Sequence, residues 1–129
     1  MDIQRSTKTI ALVGVSNKPE RPSYGVMAFL LSRGYAVTPV NPGLAGQEIQ
    51  GQRVVASLAE VPAPVDMVDI FRNTEDAATV IDEAIALKEK LSIKTVWCQL
   101  GVTPLEAGKR AEEAGLTVVM DRCPAIDWR

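Results

Sequence analysis

Short apolar runs alternate along this chain with longer segments in which apolar residues recur at helical spacing, and that alternation restricts its fold more than any other feature. Thr9-Ile10-Ala11-Leu12-Val13 stops at Gly14, the pattern of a central parallel strand buried on both faces. Residues 24–33 follow, carrying Val26, Met27, Phe29, Leu30 and Leu31, with Gly34 at a C-cap position; they predict a helix. Residues 35–40 predict a second strand, stopped by Asn41-Pro42-Gly43. Residues 44–53 hold two glycines and no clear period, and read as a loop before Val54 and Val55. Ser57 and Glu60 have capping-box spacing for one short helical turn, ended near Pro62 and Pro64. Residues 66–71 predict a third strand whose aspartates alternate with apolar residues, as on a strand with one less buried face or edge. Thr74 as N-cap, with Glu75 and Asp76 in the first turn, opens the longest helix, striped by Ala77, Val80, Ile81, Ala84 and Ile85. Residues 95–100 predict a fourth strand. Thr103-Pro104-Leu105-Glu106 then reads as a capping box with proline at the first helical position of a helix ending at Gly115. Residues 116–120 predict a fifth strand. The expected fold is α/β: a Rossmann-like, doubly wound, mostly parallel sheet of about five strands with helices on both faces, in one domain over residues 1–129.

Composition removes whole chemistries. The chain has no histidine, so a Ser-His triad, a His-ligated metal and a phosphohistidine relay are all excluded. Fourteen Lys+Arg against 16 Asp+Glu leave no basic excess for tracking a phosphate backbone, so no nucleic-acid partner is expected. The first residues lack the apolar core of a secretory signal, and the longest apolar stretches, 10–13 and 26–31, fall far short of the roughly 20 residues that span a bilayer. Cys98 and Cys123 are isolated and suit a reducing compartment. A soluble, cytoplasmic protein with no membrane partner is the expectation.

In open α/β sheets, ligands bind outside the carboxyl ends of the strands, where the winding reverses. Here every expected strand empties into polar or cationic residues. The first loop is the most informative. A strand closed by Gly14 and leading to a helix N-terminus offers backbone N–H groups and the helix dipole to a phosphate, beginning with Val15 and Ser16. Lys18, Arg21 and Ser23, with Pro22 at the helix start, add two cations and a hydroxyl for a multiply phosphorylated ligand. The loop is not the dinucleotide fingerprint, because no second and third glycines follow Gly14. After the second strand, Asn41 and Pro42 stand where NAD-binding folds usually carry an acid, which argues against NAD. Phe71 and Arg72, after the third, suit the flanks of an adenine ring by stacking and cation–π contact; Phe71 fits a core strand position equally well. Loops at strand ends are polar in any such fold, so solvation alone also accounts for Lys18 and Glu20.

For catalysis the chain offers little. No carboxylate pair has a spacing that marks it as acid and base. Cys123, between Arg122 and Pro124, is the one nucleophile candidate, and an adjacent arginine lowers a thiol pKa. An inert thiol and a redox-active one both fit. Cys98, Trp97 and Trp128 read as packing residues.

Taken in order, Ile10-Ala11-Leu12-Val13-Gly14-Val15-Ser16, Lys18-Pro19-Glu20-Arg21-Pro22-Ser23-Tyr24, Pro39-Val40-Asn41-Pro42, Val65-Asp66-Met67-Val68-Asp69-Ile70-Phe71-Arg72, Gln99-Leu100-Gly101-Val102 and Val119-Met120-Asp121-Arg122-Cys123-Pro124 resemble the small stand-alone CoA-binding proteins. These are similar to the N-terminal CoA-binding domain of succinyl-CoA synthetase α subunits. The resemblance covers nearly the whole chain. It implies that Val15, Ser16, Lys18 and Arg21 line the pyrophosphate side, that Asn41 and Pro42 meet the ribose or 3′-phosphate side, and that Phe71 and Arg72 border the adenine. It also implies that Gln99 and Leu100 follow at the adjoining strand end and that Arg122 and Cys123 face the pantetheine arm. One departure is the long, charged segment 87–94, expected to extend a helix away from the site. Succinyl-CoA synthetase forms its thioester through a phosphohistidine in a second domain, and this chain has neither, so the resemblance implies a binding half without that machinery.

The expected function is therefore non-catalytic binding of a small nucleotide ligand, coenzyme A or a short acyl-CoA, at the C-terminal edge of the sheet. The alternative is a thiol redox or nicotinamide-dependent protein using Cys123 or NAD(P). A regulatory module ranks third, since no helix face is apolar enough to indicate a protein partner.

Overall fold

The computed structural model describes residues 2–128. Its elements are α1 (Ile3–Ser6), β1 (Thr9–Val13), α2 (Pro22–Ser32), β2 (Ala36–Val40), β3 (Glu48–Ile49), β4 (Gln52–Arg53), β5 (Met67–Ile70), α3 (Thr74–Leu91), β6 (Thr95–Cys98), α4 (Leu105–Glu113), β7 (Thr117–Val119) and α5 (Pro124–Asp127). Single 3₁₀ turns lie at Pro42–Leu44 and Leu58–Glu60.

The run that ends at Gly14 forms β1, flanked on both sides in a parallel sheet of order β2-β1-β5-β6-β7. Its side chains alternate between two cores. Ile10 and Leu12 pack with Val15, Met27, Leu30 and Trp97, while Ala11 and Val13 pack with Ile70, Val80, Ile81 and Val96. Burial of a side chain such as Leu12 contributes about 2 kcal/mol relative to exposure. Helix α2 covers the first core, and α3 and α4 cover the second, so the sheet is wound on both faces as expected. The chain moves outward from β1 to β2, then crosses back to β5 and continues through β6 to β7. The winding therefore reverses between β1 and β5, which locates the crevice of this fold at their carboxyl ends. Among the described residues, no helix is long and apolar enough to cross a membrane.

Several expectations need correction. Residues 44–53 are not a plain loop. They fold into the β3–β4 hairpin, whose central residues Gln50 and Gly51 have φ of 51° and 81°, the positive values a two-residue hairpin turn of matching twist demands. Val55 then bonds β2, its N–H donating to Pro39 O at 3.0 Å and its carbonyl accepting from Asn41 N at 3.0 Å. Strand β5 has no exposed face: all its residues are buried, Asp69 completely. Asp66, just before it, caps the start of β1 by accepting from Lys8 N at 2.8 Å and Thr9 N at 3.2 Å.

The helix starts also shift. Helix α2 opens at Pro22, two residues earlier than its apolar pattern, because proline's fixed φ suits a first helical position. Asn73, not Thr74, caps α3, its Oδ1 accepting from Asp76 N at 2.8 Å. Thr74 Oγ1 instead accepts from Thr103 N at 3.3 Å, and with that N–H engaged Pro104 becomes the N-cap of α4 without a capping box. Ser57 makes no side-chain cap; Glu60 reaches past it to accept from Ala56 N at 3.3 Å. Helices α1 and α5 are too short to show a period. They clasp the ends of the chain, with Trp128 packed 5.5 Å from the rings of both Tyr35 and Trp97.

Candidate functional site

The first loop folds back on itself at the crevice. Gly14 N donates to Val40 O at 2.9 Å and Phe71 N to Val13 O at 2.8 Å, so the ends of β2, β1 and β5 are tied side by side. Gly14 has φ of 89°, and a Cβ there would overlap the carbonyl oxygen of Phe71; only glycine lets these strand ends approach so closely. Ser16 N donates to Ser23 Oγ at 2.9 Å, and Lys18 N to Ser16 Oγ at 3.1 Å. Asn41 closes the far side: its Nδ2 donates to Val15 O at 2.8 Å and its Oδ1 accepts from Gly43 N at 2.9 Å.

These contacts shape a cleft of about 470 Å³ lined by Gly14, Val15, Ser16, Asn17, Lys18, Arg21, Pro22, Ser23, Asn41, Gly43, Leu44 and Phe71. The N-terminus of α2 opens into it. Arg21, its N-cap, makes no side-chain capping bond, and the first N–H groups of any α-helix lack intrahelical acceptors. Lys18 and Arg21 are exposed, and among the described residues neither is held in an ion pair. Arg21 N donates to Lys18 O at 3.0 Å and Tyr24 N to Arg21 O at 3.1 Å, so what converges here is two exposed cations and the positive end of a helix, a combination suited to phosphate.

A second cavity of about 290 Å³ lies on the other side of the strand ends. Val13, Val40, Leu58 and Val80 give it an apolar floor, and Pro42, Ser57, Arg72, Asp76, Thr79 and Glu83 rim it. Arg72 is paired there with Asp76 at 2.9 Å. Phe71 and Arg72 thus face different cavities, rather than flanking one ring together.

Four other predicted site residues stand apart from both cavities. Gln99 is buried and turns its amide inward, Nε2 donating to Asp69 Oδ1 at 2.5 Å, while Leu100 beside it is exposed. The Arg122 guanidinium is held by Asp127 at 2.6 Å. Cys123 is buried with the aromatic clasp, where Trp97 Nε1 donates to Arg122 O at 2.8 Å. Cys98 packs in the opposite core, where burial pushes its thiol well above the ordinary value. Both sulfurs are buried.

Sequence reasoning overlooked Ser57, Asp76, Thr79 and Glu83. The last three were open to inference: with Val80 they share one face of α3 at spacings of three, four and seven residues. Gly43 and Leu44 had no such signal, because the hairpin that returns them to the cleft shows no apolar alternation.

Comparisons with known proteins identify relatives over nearly the whole chain. The Bacillus subtilis protein YneT is 35% identical over 122 residues, which cover 95% of this chain and 86% of that protein. The α subunit of an ADP-forming acetate–CoA ligase from Pyrococcus furiosus is 31% identical over 112 residues, 82% of this chain but 23% of the subunit. A structure from Thermus thermophilus, cell-free ID.343, superposes with a TM-score of 0.89 at 36% identity, covering 99% of this chain and 97% of that one. Residues 8–129 match the CoA binding domain family. With a Rossmann-like sheet and a family match over nearly its whole length, the chain belongs to the CoA binding domain family.

Proposed function

We propose that this chain binds coenzyme A or a short acyl-CoA at the carboxyl edge of the sheet and does so without turning it over. The observation that carries this reading is the convergence of Lys18, Arg21 and the uncapped start of α2 on one cleft, in a chain of the CoA binding domain family. In this reading the diphosphate lies in the cleft against Val15, Ser16, Lys18, Arg21 and Ser23. The nucleoside lies toward Pro42 and the second cavity, whose apolar floor suits a base. Asn41 serves by buttressing the loop, since both ends of its amide already have protein partners. Arg122 and Cys123 do not line the cleft, and in this reading they border the extended arm of the ligand.

The buried Cys123 and the occupied Arg122 give the thiol alternative no reactive group to work with. The absence of an acid after β2 likewise leaves the nicotinamide alternative without its usual ribose ligand. Calorimetry with CoA, dephospho-CoA, NAD and ATP tests the proposal. CoA should bind tightest; tighter binding of NAD would overturn it.

A further inference from the structure

Asp69 is a buried acid that the ligand-binding reading does not use. Parallel register sets it beside Leu12 of β1 and Trp97 of β6, and it is completely buried. Its Oδ1 lies 2.5 Å from the Gln99 amide, and Oδ2 has no hydrogen-bond partner among the described residues. A separation of 2.5 Å lies below the N–H···O range and at the short end of the O–H···O range. The oxygen and nitrogen of an amide exchange places by a half-turn. With a proton on Asp69 and the Gln99 amide turned over, the contact becomes an O–H donated to Oε1. The remaining Asp69 oxygen is then a neutral carbonyl, far cheaper to leave without a partner than a buried carboxylate oxygen.

We propose that Asp69 is a positioning residue that works as a neutral acid joined to Gln99 at the turn of Leu100 and Gly101: ionisation leaves a charged, unpartnered Oδ2 in the core, loosens the turn and weakens ligand binding. The ligand part of this rests on the CoA reading above. The main chain shows how the hold is transmitted. Gln99 N donates to Ile70 O at 3.3 Å, Val102 N to Gln99 O at 3.0 Å, and Gly101 N to Asp121 Oδ1 at 2.7 Å. Gln99 therefore joins the end of β5 to the turn, and Gly101 within the turn joins it to the segment after β7.

The surroundings favour the neutral form. Burial pushes the Asp69 carboxyl up to about 7, and the bond from Gln99 offsets only part of this. On its side of the sheet the packed layer is Leu12 of β1, Val15 of the first loop, Met27 of α2, Trp97 of β6 and Cys123 before α5. Among the described residues no cation acts on Asp69: only burial and the Gln99 bond shift it, and the titratable group it acts on is Cys98, whose own titration is pushed upward.

Carbon-13 NMR of the aspartate carboxyls, without ligand and with Asp69→Asn for assignment, should show one carboxyl titrating near neutral pH. A carboxyl ionised throughout would overturn the proposal. Hydrogen exchange at Gly101, corrected for intrinsic rate, should quicken about tenfold between about pH 6 and pH 8.5 in the wild type but not in Asp69→Asn; equal behaviour would also overturn it. Gln99→Met, which lacks the acceptor, should release Gly101 at both pH values, and a protected amide there counts against the hold. Over the same interval the wild type should lose about fivefold in CoA affinity relative to Asp69→Asn, the scale of a typical coupling between sites. CoA's own ionisation is common to both proteins and cancels, so a parallel pH dependence refutes the link to binding. If neither protein binds CoA, the functional reading fails, and the two ligand-free measurements still decide the neutral acid and the turn.

Discussion

Replacing Asp69 by asparagine should make the protein more stable, and increasingly so as the pH rises. The carboxyl has an ordinary value of 3.8, which burial raises to about 7 in the folded chain. A raised acid contributes fully below its unfolded value, and that contribution is lost as pH climbs toward the folded one, because the unfolded chain releases the proton first. The whole interval corresponds to about 4 kcal/mol. Between about pH 5 and pH 8 the part lost is about 2.5 kcal/mol, from the difference of the two titration curves. Asparagine keeps the shape and the hydrogen bond to Gln99 but has no charge to bury. The stability advantage of Asp69→Asn over the wild type should therefore grow by about 2.5 kcal/mol across that range, or roughly 10 °C in Tm for a chain of this length. Urea unfolding followed by circular dichroism at several pH values measures it directly. The difference between the two proteins cancels every other titrating group. A difference that stays flat with pH would mean that Asp69 is not the buried, unpaired acid described above, and the reasoning would fail at its first step.

Asp66 should behave with the opposite sign. Burial alone would raise it, but N–H donation from Lys8 and Thr9 and the charge of Lys94 outweigh that and hold it below its ordinary value. Asp66→Ala should cost about 1–3 kcal/mol near neutral pH, and the loss should shrink in acid, as denaturation at about pH 3 and pH 7 would reveal. Gly14→Ala forces an L-residue to φ of 89° and sets a Cβ against Phe71 O; unfolding titrations should show a loss of about 3 kcal/mol or more, and a loss under about 1 would mean the strand ends part easily. Arg21→Ala should weaken CoA about tenfold or more while Lys109→Ala, on the surface of α4, leaves it unchanged; equal losses in calorimetry would remove the loop from the site.

Much of this architecture is legible in the chain because two periods dominate it. Thr9–Val13 appears at its observed bounds, since an uninterrupted apolar run closed by glycine has few other uses. The first loop is legible for a different reason: Gly14, Lys18, Arg21 and Ser23 lie close in sequence, so their convergence needs only one turn of chain. What could not be read depends on contacts distant in sequence. Asp69 looks like an outward residue of an alternating strand, and only Gln99, 30 positions later, lets it turn inward. Asn73 and Thr74 are both good caps, and the choice between them is made by Thr103 drawing Thr74 away. The second cavity combines β1, the turn at Leu58–Glu60 and the face of α3, a meeting that no local pattern contains.

The bridge from Val55 to β2 has a consequence for association between molecules. Unpaired strand edges are templates for pairing with another chain. At one margin of this sheet, Val55 bonds Pro39 and Asn41 at the end of β2, with the β3–β4 hairpin just before it in the chain, so that end of the margin is covered by the chain itself. The other margin is β7, three residues long, with no strand paired on its outer side among the described residues. Any growth of this sheet by strand addition is directed to β7, where the template is too short to guide more than a few bonds.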